Sequence, residues 1–138
     1  MSKLKTFLVS DSKDTFFVAL EVDLDKLTPE AASLINAYWG GAEDRLDAER
    51  GNAVRAVIRL LGCKLMGAML EFGGQSFDER AVTGPGRGVY WMKDLMEREG
   101  LLRNKDFKLD ALGIRLVKAD VEMPGFDEVD LDEQAGAL

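Results

Sequence analysis

Asn52-Ala53-Val54-Arg55-Ala56-Val57-Ile58-Arg59-Leu60-Leu61-Gly62-Cys63-Lys64-Leu65-Met66-Gly67-Ala68-Met69-Leu70-Glu71-Phe72 is the stretch around which the rest of the chain arranges itself. Val54, Val57, Ile58, Leu61, Leu65, Ala68, Met69 and Phe72 recur at helical spacing and form one long apolar stripe. Ala56, Leu60, Cys63, Gly67 and Leu70 make a second band of smaller residues on nearly the opposite side. Arg55, Arg59, Gly62 and Met66 are left as a narrow face for water or a partner. A helix that is apolar on two sides is covered from two sides, most simply by a sheet and by other helices.

The strands for that sheet flank the helix. Leu4 to Val9 and Phe16 to Leu24 read as a hairpin joined by a polar turn. In its second arm Phe16, Val18, Leu20, Val22 and Leu24 alternate with more polar positions, and Phe7 and Val9 share the buried side. Ile114 to Met123 reads as a late third strand. Its apolar residues change face partway, so a bulge is expected near Leu116.

Between these strands lie the other helices. Thr28-Pro29-Glu30 opens one with a cap residue, proline at the first helical position and an early acid. Ala31, Leu34, Ile35 and Tyr38 form its expected inner face, and Gly40-Gly41 ends it. Ala42 to Arg50 is a short charged helix with Leu46 inward, set off from the long helix by Gly51. Ser76-Phe77-Asp78-Glu79 matches a capping box, which predicts a short helix to about Val82. Helical spacing resumes from Val89 to Glu99, and Leu101 to Leu112 is a polar connection. The expected fold is α+β: a small antiparallel sheet, made of the N-terminal hairpin and a C-terminal strand, with helices packed on one face around the long central helix. Residues 1–123 would form this single domain and residues 124–138 an acidic C-terminal tail.

At 138 residues the chain is long enough to bury a core of its own. No apolar run approaches the ~20 residues of a membrane span, and the N-terminal apolar run is too short for a secretory signal. Cys63 is the one cysteine. An internal disulfide is therefore excluded, and a reducing cytoplasm is the expected location. The chain has no histidine, which removes the commonest general base and the usual zinc ligand. A non-enzymatic protein is expected, with no catalytic residues, metal or cofactor.

Charge is the feature that points to function. All 18 lysines and arginines lie at or before Lys118, together with 18 of the 25 acids, so the body is formally neutral. The net charge of −7 resides in Asp120, Glu122, Asp127, Glu128, Asp130, Asp132 and Glu133. Such a segment suits a protein partner with a basic surface, including one that ordinarily holds nucleic acid. It equally serves as a solvated terminus that keeps the chain soluble.

Two alternatives use other residues. Between Arg80 and Lys118 there are nine basic residues against five acids, so Arg87, Arg103, Lys105 and Lys108 form a candidate nucleic-acid surface. An ordinary mixed-charge surface explains the same residues. The Gly84-Pro85-Gly86-Arg87-Gly88 loop, leading into a helix, is a candidate phosphate or small-ligand cradle. It lacks the lysine and hydroxyl of a Walker loop and follows no expected strand, so a plain connector is the simpler reading. Glu43 and Asp47 share a helix face, but Arg45 with Glu49 makes that face an ordinary charged one. Cys63, Tyr38, Trp39, Trp91 and the methionines read as core or near-core.

The segments Leu27-Thr28-Pro29-Glu30, Ile35-Asn36-Ala37-Tyr38-Trp39-Gly40-Gly41-Ala42-Glu43-Asp44-Arg45-Leu46 and Val57-Ile58-Arg59-Leu60 give the chain a further identity. Over its N-terminal half it resembles the bacterial family known as domain of unknown function 2528. The resemblance implies a setting in bacterial genomes and their mobile elements, phage included, and an accessory or anti-defence role. It transfers no catalytic residue.

Overall fold

The computed structural model describes residues 3–13, 15–81, 86–103 and 109–134. Strands β1 (Leu4–Ser10) and β2 (Phe17–Asp23) form the expected hairpin, with Leu4 opposite Asp23 and Ser10 opposite Phe17. The Asp11 carboxylate closes its turn by accepting from the Thr15 and Phe16 amides at 2.7 and 2.8 Å. Val18, Leu20 and Val22 are fully buried, and Phe7 and Val9 pack against the same core.

Helix α1 (Pro29–Tyr38) starts where its cap predicts, with Thr28 Oγ1 accepting from the Ala31 amide at 3.2 Å. Its inner face is displaced from the expected one: Ala32 and Asn36 are buried, whereas Leu34 is 78% exposed and Tyr38 is also exposed. The cause is Asn36, a polar residue that sequence pattern assigns to water. Its Nδ2 donates to Ala42 O at 3.1 Å, and its Oδ1 accepts from Arg45 Nε at 2.7 Å. Buried polar groups with partners cost little, and here they fix the corner between α1 and α2 (Ala42–Ala48). Arg45 is committed to this corner rather than to Glu49, donating also to the carbonyls of Asn36, Trp39 and Gly40.

A true break follows α2. Arg50 and Gly51 adopt φ of 56° and 83°, consecutive left-handed residues that turn the chain. Asn52 then caps α3 (Ala53–Glu71), accepting from the Arg55 amide at 3.0 Å. Ala53, Ala56, Val57, Ile58, Leu61, Gly62, Leu65, Ala68 and Met69 of α3 are buried, and the helix lies against all four strands of the sheet and against α1. Its wet stripe runs in four-residue steps through Arg55, Arg59, Cys63, Gly67 and Glu71. Two expectations are thereby corrected. Cys63 is exposed, not a core thiol. Gly62 is buried because β1 crosses over it, with Val9 where a side chain would stand.

The larger correction concerns residues 74–82. No helix follows Ser76 up to Ala81, the last described residue before 86; Gly74–Asp78 is instead β3, paired antiparallel with β4 (Ile114–Glu122) from Gly74 opposite Glu122 to Asp78 opposite Lys118. The local capping pattern loses to a free sheet edge that offers a ladder of backbone hydrogen bonds. Gly73 and Gly74 supply the positive φ (90° and 98°) that brings the chain out of α3 and into that ladder. Glu79, the supposed box acid, caps a different helix, as described below.

β4 carries the expected bulge. Ala19 faces Lys118 whereas Leu20 faces Leu116, which leaves Val117 without a partner on β2. The extra residue restores the alternation, so Ile114, Leu116, Ala119 and Val121 all enter one core. The sheet order is β1-β2-β4-β3, with every neighbour antiparallel. Helix α4 (Arg87–Arg98) begins two residues before its apolar pattern and packs on β4 and α3 through Trp91, Met92, Leu95 and Met96. The 101–112 connection contains two short 3-10 turns, Leu101–Arg103 and Leu109–Leu112, with Leu101 and Leu112 buried. The fold is α+β. Among the described residues no helix is long and apolar enough to cross a membrane.

Candidate functional site

The acidic residues lie at one end of the chain. Asp120 is half-buried on β4 and Glu122 is exposed at its end. Asp127, Glu128, Asp130, Asp132 and Glu133 are exposed on a segment with one 3-10 turn, Phe126–Glu128. Glu128 Oε1 accepts from the Gly125 amide at 3.3 Å to close that turn. None of the seven forms an ion pair with another described residue. Interleaved with them are Phe126 and Leu131, which are 92% and 96% exposed, and the exposed Val129.

The basic residues are arranged differently. Arg87 is exposed and donates to Ser76 O at 3.2 Å; Arg103 is exposed in its 3-10 turn. Lys105 and Lys108 lie outside the described residues. Four neighbouring cations lie against acids within the fold. Asp78 holds Arg80 and Lys118, Glu21 lies 3.6 Å from Arg115, and Arg98 binds Glu71 and Asp94 at 2.8 and 3.0 Å. Hydrogen bonds from the Arg80 side chain and amide hold the Asp78 carboxyl at about 2, well below its usual range.

Of the glycine-rich loop, Gly84 and Pro85 lie outside the described residues. Gly86 is the N-cap of α4, and two of the amides that could cradle a phosphate are taken. Glu79 accepts from the Arg87 amide at 2.9 Å and from the Gly88 amide at 2.8 Å. Those two bonds, Gly88's first, hold the Glu79 carboxyl below its usual range. A carboxylate of the chain itself thus sits at the positive end of the α4 dipole. Gly88 is required by contact: a Cβ there would fall on the carbonyl oxygen of Leu116.

Glu43 and Asp47 are both exposed. Among the described residues no group of three or more His, Cys, Asp or Glu is placed to hold a metal ion. Trp39 is partly buried, with Nε1 donating to Glu99 Oε2 at 3.0 Å. Lys64 reaches the other Glu99 oxygen at 3.0 Å.

One cluster escaped the sequence reading. Glu49 binds Arg55 Nε and Arg59 Nη1, both at 2.9 Å, and these bonds hold its carboxyl below the usual range. With Phe7, Leu8, Val9, Ser10 and Ile58 they line a cleft of about 220 Å³ between β1 and α3. Arg55 and Arg59 were legible as an exposed pair. Their partner was not, because the Gly51 break separates Glu49 from them and no helical spacing rule crosses a break. A second, open cavity of about 430 Å³ lies near Lys26, Met92, Ile114 and Arg115.

The family described as protein of unknown function (DUF2528) matches residues 17–131. The match runs from the start of β2 through every helix and strands β3 and β4 into the acidic segment, leaving out β1 and extending well past the N-terminal half that carries the most distinctive words. No curated protein and no solved structure matches the chain. By that match, which spans most of its length, the chain belongs to the DUF2528 family.

Proposed function

We propose that this protein is a non-enzymatic binding protein whose C-terminal acidic segment docks on a basic surface of a protein partner. The setting we infer is a bacterial cytoplasm, with the protein as an accessory or anti-defence factor of a phage or other mobile element. The observation that carries the reading is the exposure of Phe126 and Leu131, at 92% and 96%, within a run of acids that the body leaves unpaired. Charges alone would serve solubility. Large apolar side chains held among them add contact area that becomes favourable only once covered, at roughly 25 cal/mol per Å². The acids would speed encounter and select a basic face, and the apolar residues would slow release.

The competing use of the basic region has less support, because Arg80, Arg98, Arg115 and Lys118, four of its seven described cations, already lie against acids of the same chain. The test is affinity capture from the native host with three baits: the full chain, residues 1–123, and Phe126→Ala/Leu131→Ala. Thermal melts confirm that each bait is folded. The expected result is a partner retained by the full chain, lost from the truncation, weakened in the double variant and eluted by salt. Equal recovery on all three baits would overturn the reading.

A further inference from the structure

β1 is an outer strand, and among the described residues only one of its edges is paired with another strand. The amide of Leu24 donates to Lys3 O at 2.9 Å and that of Asp11 to Phe16 O at 3.2 Å, which fixes the parity of the hairpin. Lys5, Phe7 and Val9 therefore exchange ladder bonds with Val22, Leu20 and Val18. The N–H and C=O groups of Leu4, Thr6 and Leu8 point to the free edge. The two sides of that edge differ in chemistry. On the outer face Leu4 and Leu8 are 59% and 65% exposed. On the helix face stand Lys5 and the cleft of about 220 Å³ flanked by Arg55 and Arg59, two exposed guanidiniums sharing the single carboxylate of Glu49.

The chain also contains a strand that fits this edge. Val129-Asp130-Leu131-Asp132, which follows the 3-10 turn, alternates strictly, so when extended it has one apolar side (Val129, Leu131) and one acidic side (Asp130, Asp132). Laid along β1, its apolar side covers Leu4 and Leu8 while its acids face Lys5, Arg55 and Arg59. A slip of one residue would reverse both matches, so the pairing carries its own register. We propose that the β1 edge is the docking strand for the C-terminal segment of a second copy of this chain, by β-strand addition. Exchanged reciprocally, the two tails would close a two-fold dimer.

A second copy is favoured over the chain's own tail for a geometric reason. β4 lies two strands from β1, so reaching the outer edge of β1 requires about 14 Å of travel across the sheet. Pro124 to Glu128 would have to be extended to cover it, yet Phe126–Glu128 is wound into a 3-10 turn. The other edge strand, β3, is shorter and has acids at the ends of its exposed face, Asp78 and the facing Glu122.

The inference rests on the reading of the tail as a binding segment, and its test separates the two. Sedimentation equilibrium compares the full chain, residues 1–123, Thr6→Pro and Arg55→Glu/Arg59→Glu. Thr6→Pro removes an outward N–H and no ladder bond, so the hairpin survives; thermal melts verify this for every variant. In parallel, a labelled peptide of residues 123–134 is titrated into the 1–123 chain by fluorescence anisotropy. The expected result is a full-length dimer, a monomeric truncation, and a peptide that binds the truncation at least about tenfold more weakly when Thr6 or the two arginines are changed. A monomeric full chain whose tail peptide nonetheless binds the truncation assigns the edge to the chain's own tail and overturns the second copy. A peptide that fails to bind overturns the docking strand altogether. In that case, loss of the host partner on tail deletion would leave the proposed function standing. Conversely, a tail-dependent dimer whose tail deletion spares partner capture would sink the function and keep the dimer.

Discussion

Gly62→Ala tests the packing of α3 against the hairpin, because pattern and structure disagree on the sign of its effect. On a solvent face, glycine to alanine in mid-helix stabilises by about 1 kcal/mol. In this fold a Cβ at position 62 would stand 2.6 Å from Val9 Cβ and 2.6 and 2.7 Å from its two methyls. The methyls can rotate, but Val9 Cβ is fixed to the β1 backbone, so relief requires the strand to move. Overpacking of this kind costs about 1–3 kcal/mol. Set against the propensity gain, the net effect runs from about zero to a loss of about 2 kcal/mol, or up to roughly 7 °C in Tm for a chain of this size. Differential scanning calorimetry on Gly62→Ala, Val9→Ala and the double variant measures it. Val9→Ala removes the two methyls but not Cβ, so the second substitution should recover part of the loss, a coupling of about 0.5 kcal/mol or more. A Tm for Gly62→Ala above that of the parent would refute the burial of this helix face under β1.

Glu79→Ala leaves the Arg87 and Gly88 amides at the start of α4 without their acceptor, and should lower stability by about 1–3 kcal/mol. The urea midpoint should fall with an unchanged m value; no shift would mean that the α4 start needs no cap. Cys63, on the wet stripe of α3, should be titrated in full by a thiol reagent in native buffer, whereas a thiol revealed only by denaturant would place it back in the core. Acid should unfold the protein in a definite window. Asp11, Glu49, Asp78, Glu79 and Glu99 are all held below their usual values in the fold, so the unfolded chain binds more protons as pH falls through the carboxylate range. Their stabilisation is therefore full above that range and lost as pH drops through the folded values, to about 2 for Asp78. Measured on residues 1–123, which lack most of the acidic repulsion, the urea midpoint should decline steadily below about pH 5; a midpoint that rises on acidification would contradict the pairings.

What sequence could specify by itself was whatever depends on near neighbours in the chain. The cap at Thr28 and the hairpin alternation of Val18, Leu20 and Val22 are decided within a few residues, and so were legible. So was the phase change on β4, because a bulge leaves its mark in the apolar pattern of a single strand. Helix faces were legible only in part. A stripe broad enough to be buried on two sides does not say which of its margins is wet, and Cys63 and Gly62 exchanged places once β1 was laid across the helix. Ser76 to Asp78 went the other way, from a local helix signal to a strand, because the open edge of β4 offered hydrogen bonds that no local window contains. The same limit governs the candidate site. The run of tail acids and Arg55 with Arg59 stood in the sequence, but Glu49 between those arginines, Glu79 on the α4 amides and the free edge of β1 are products of strand order and chain reversal. Tertiary structure decided them, since hydrogen bonds and ion pairs act over a few ångströms and the chain brings together residues that its own order keeps apart.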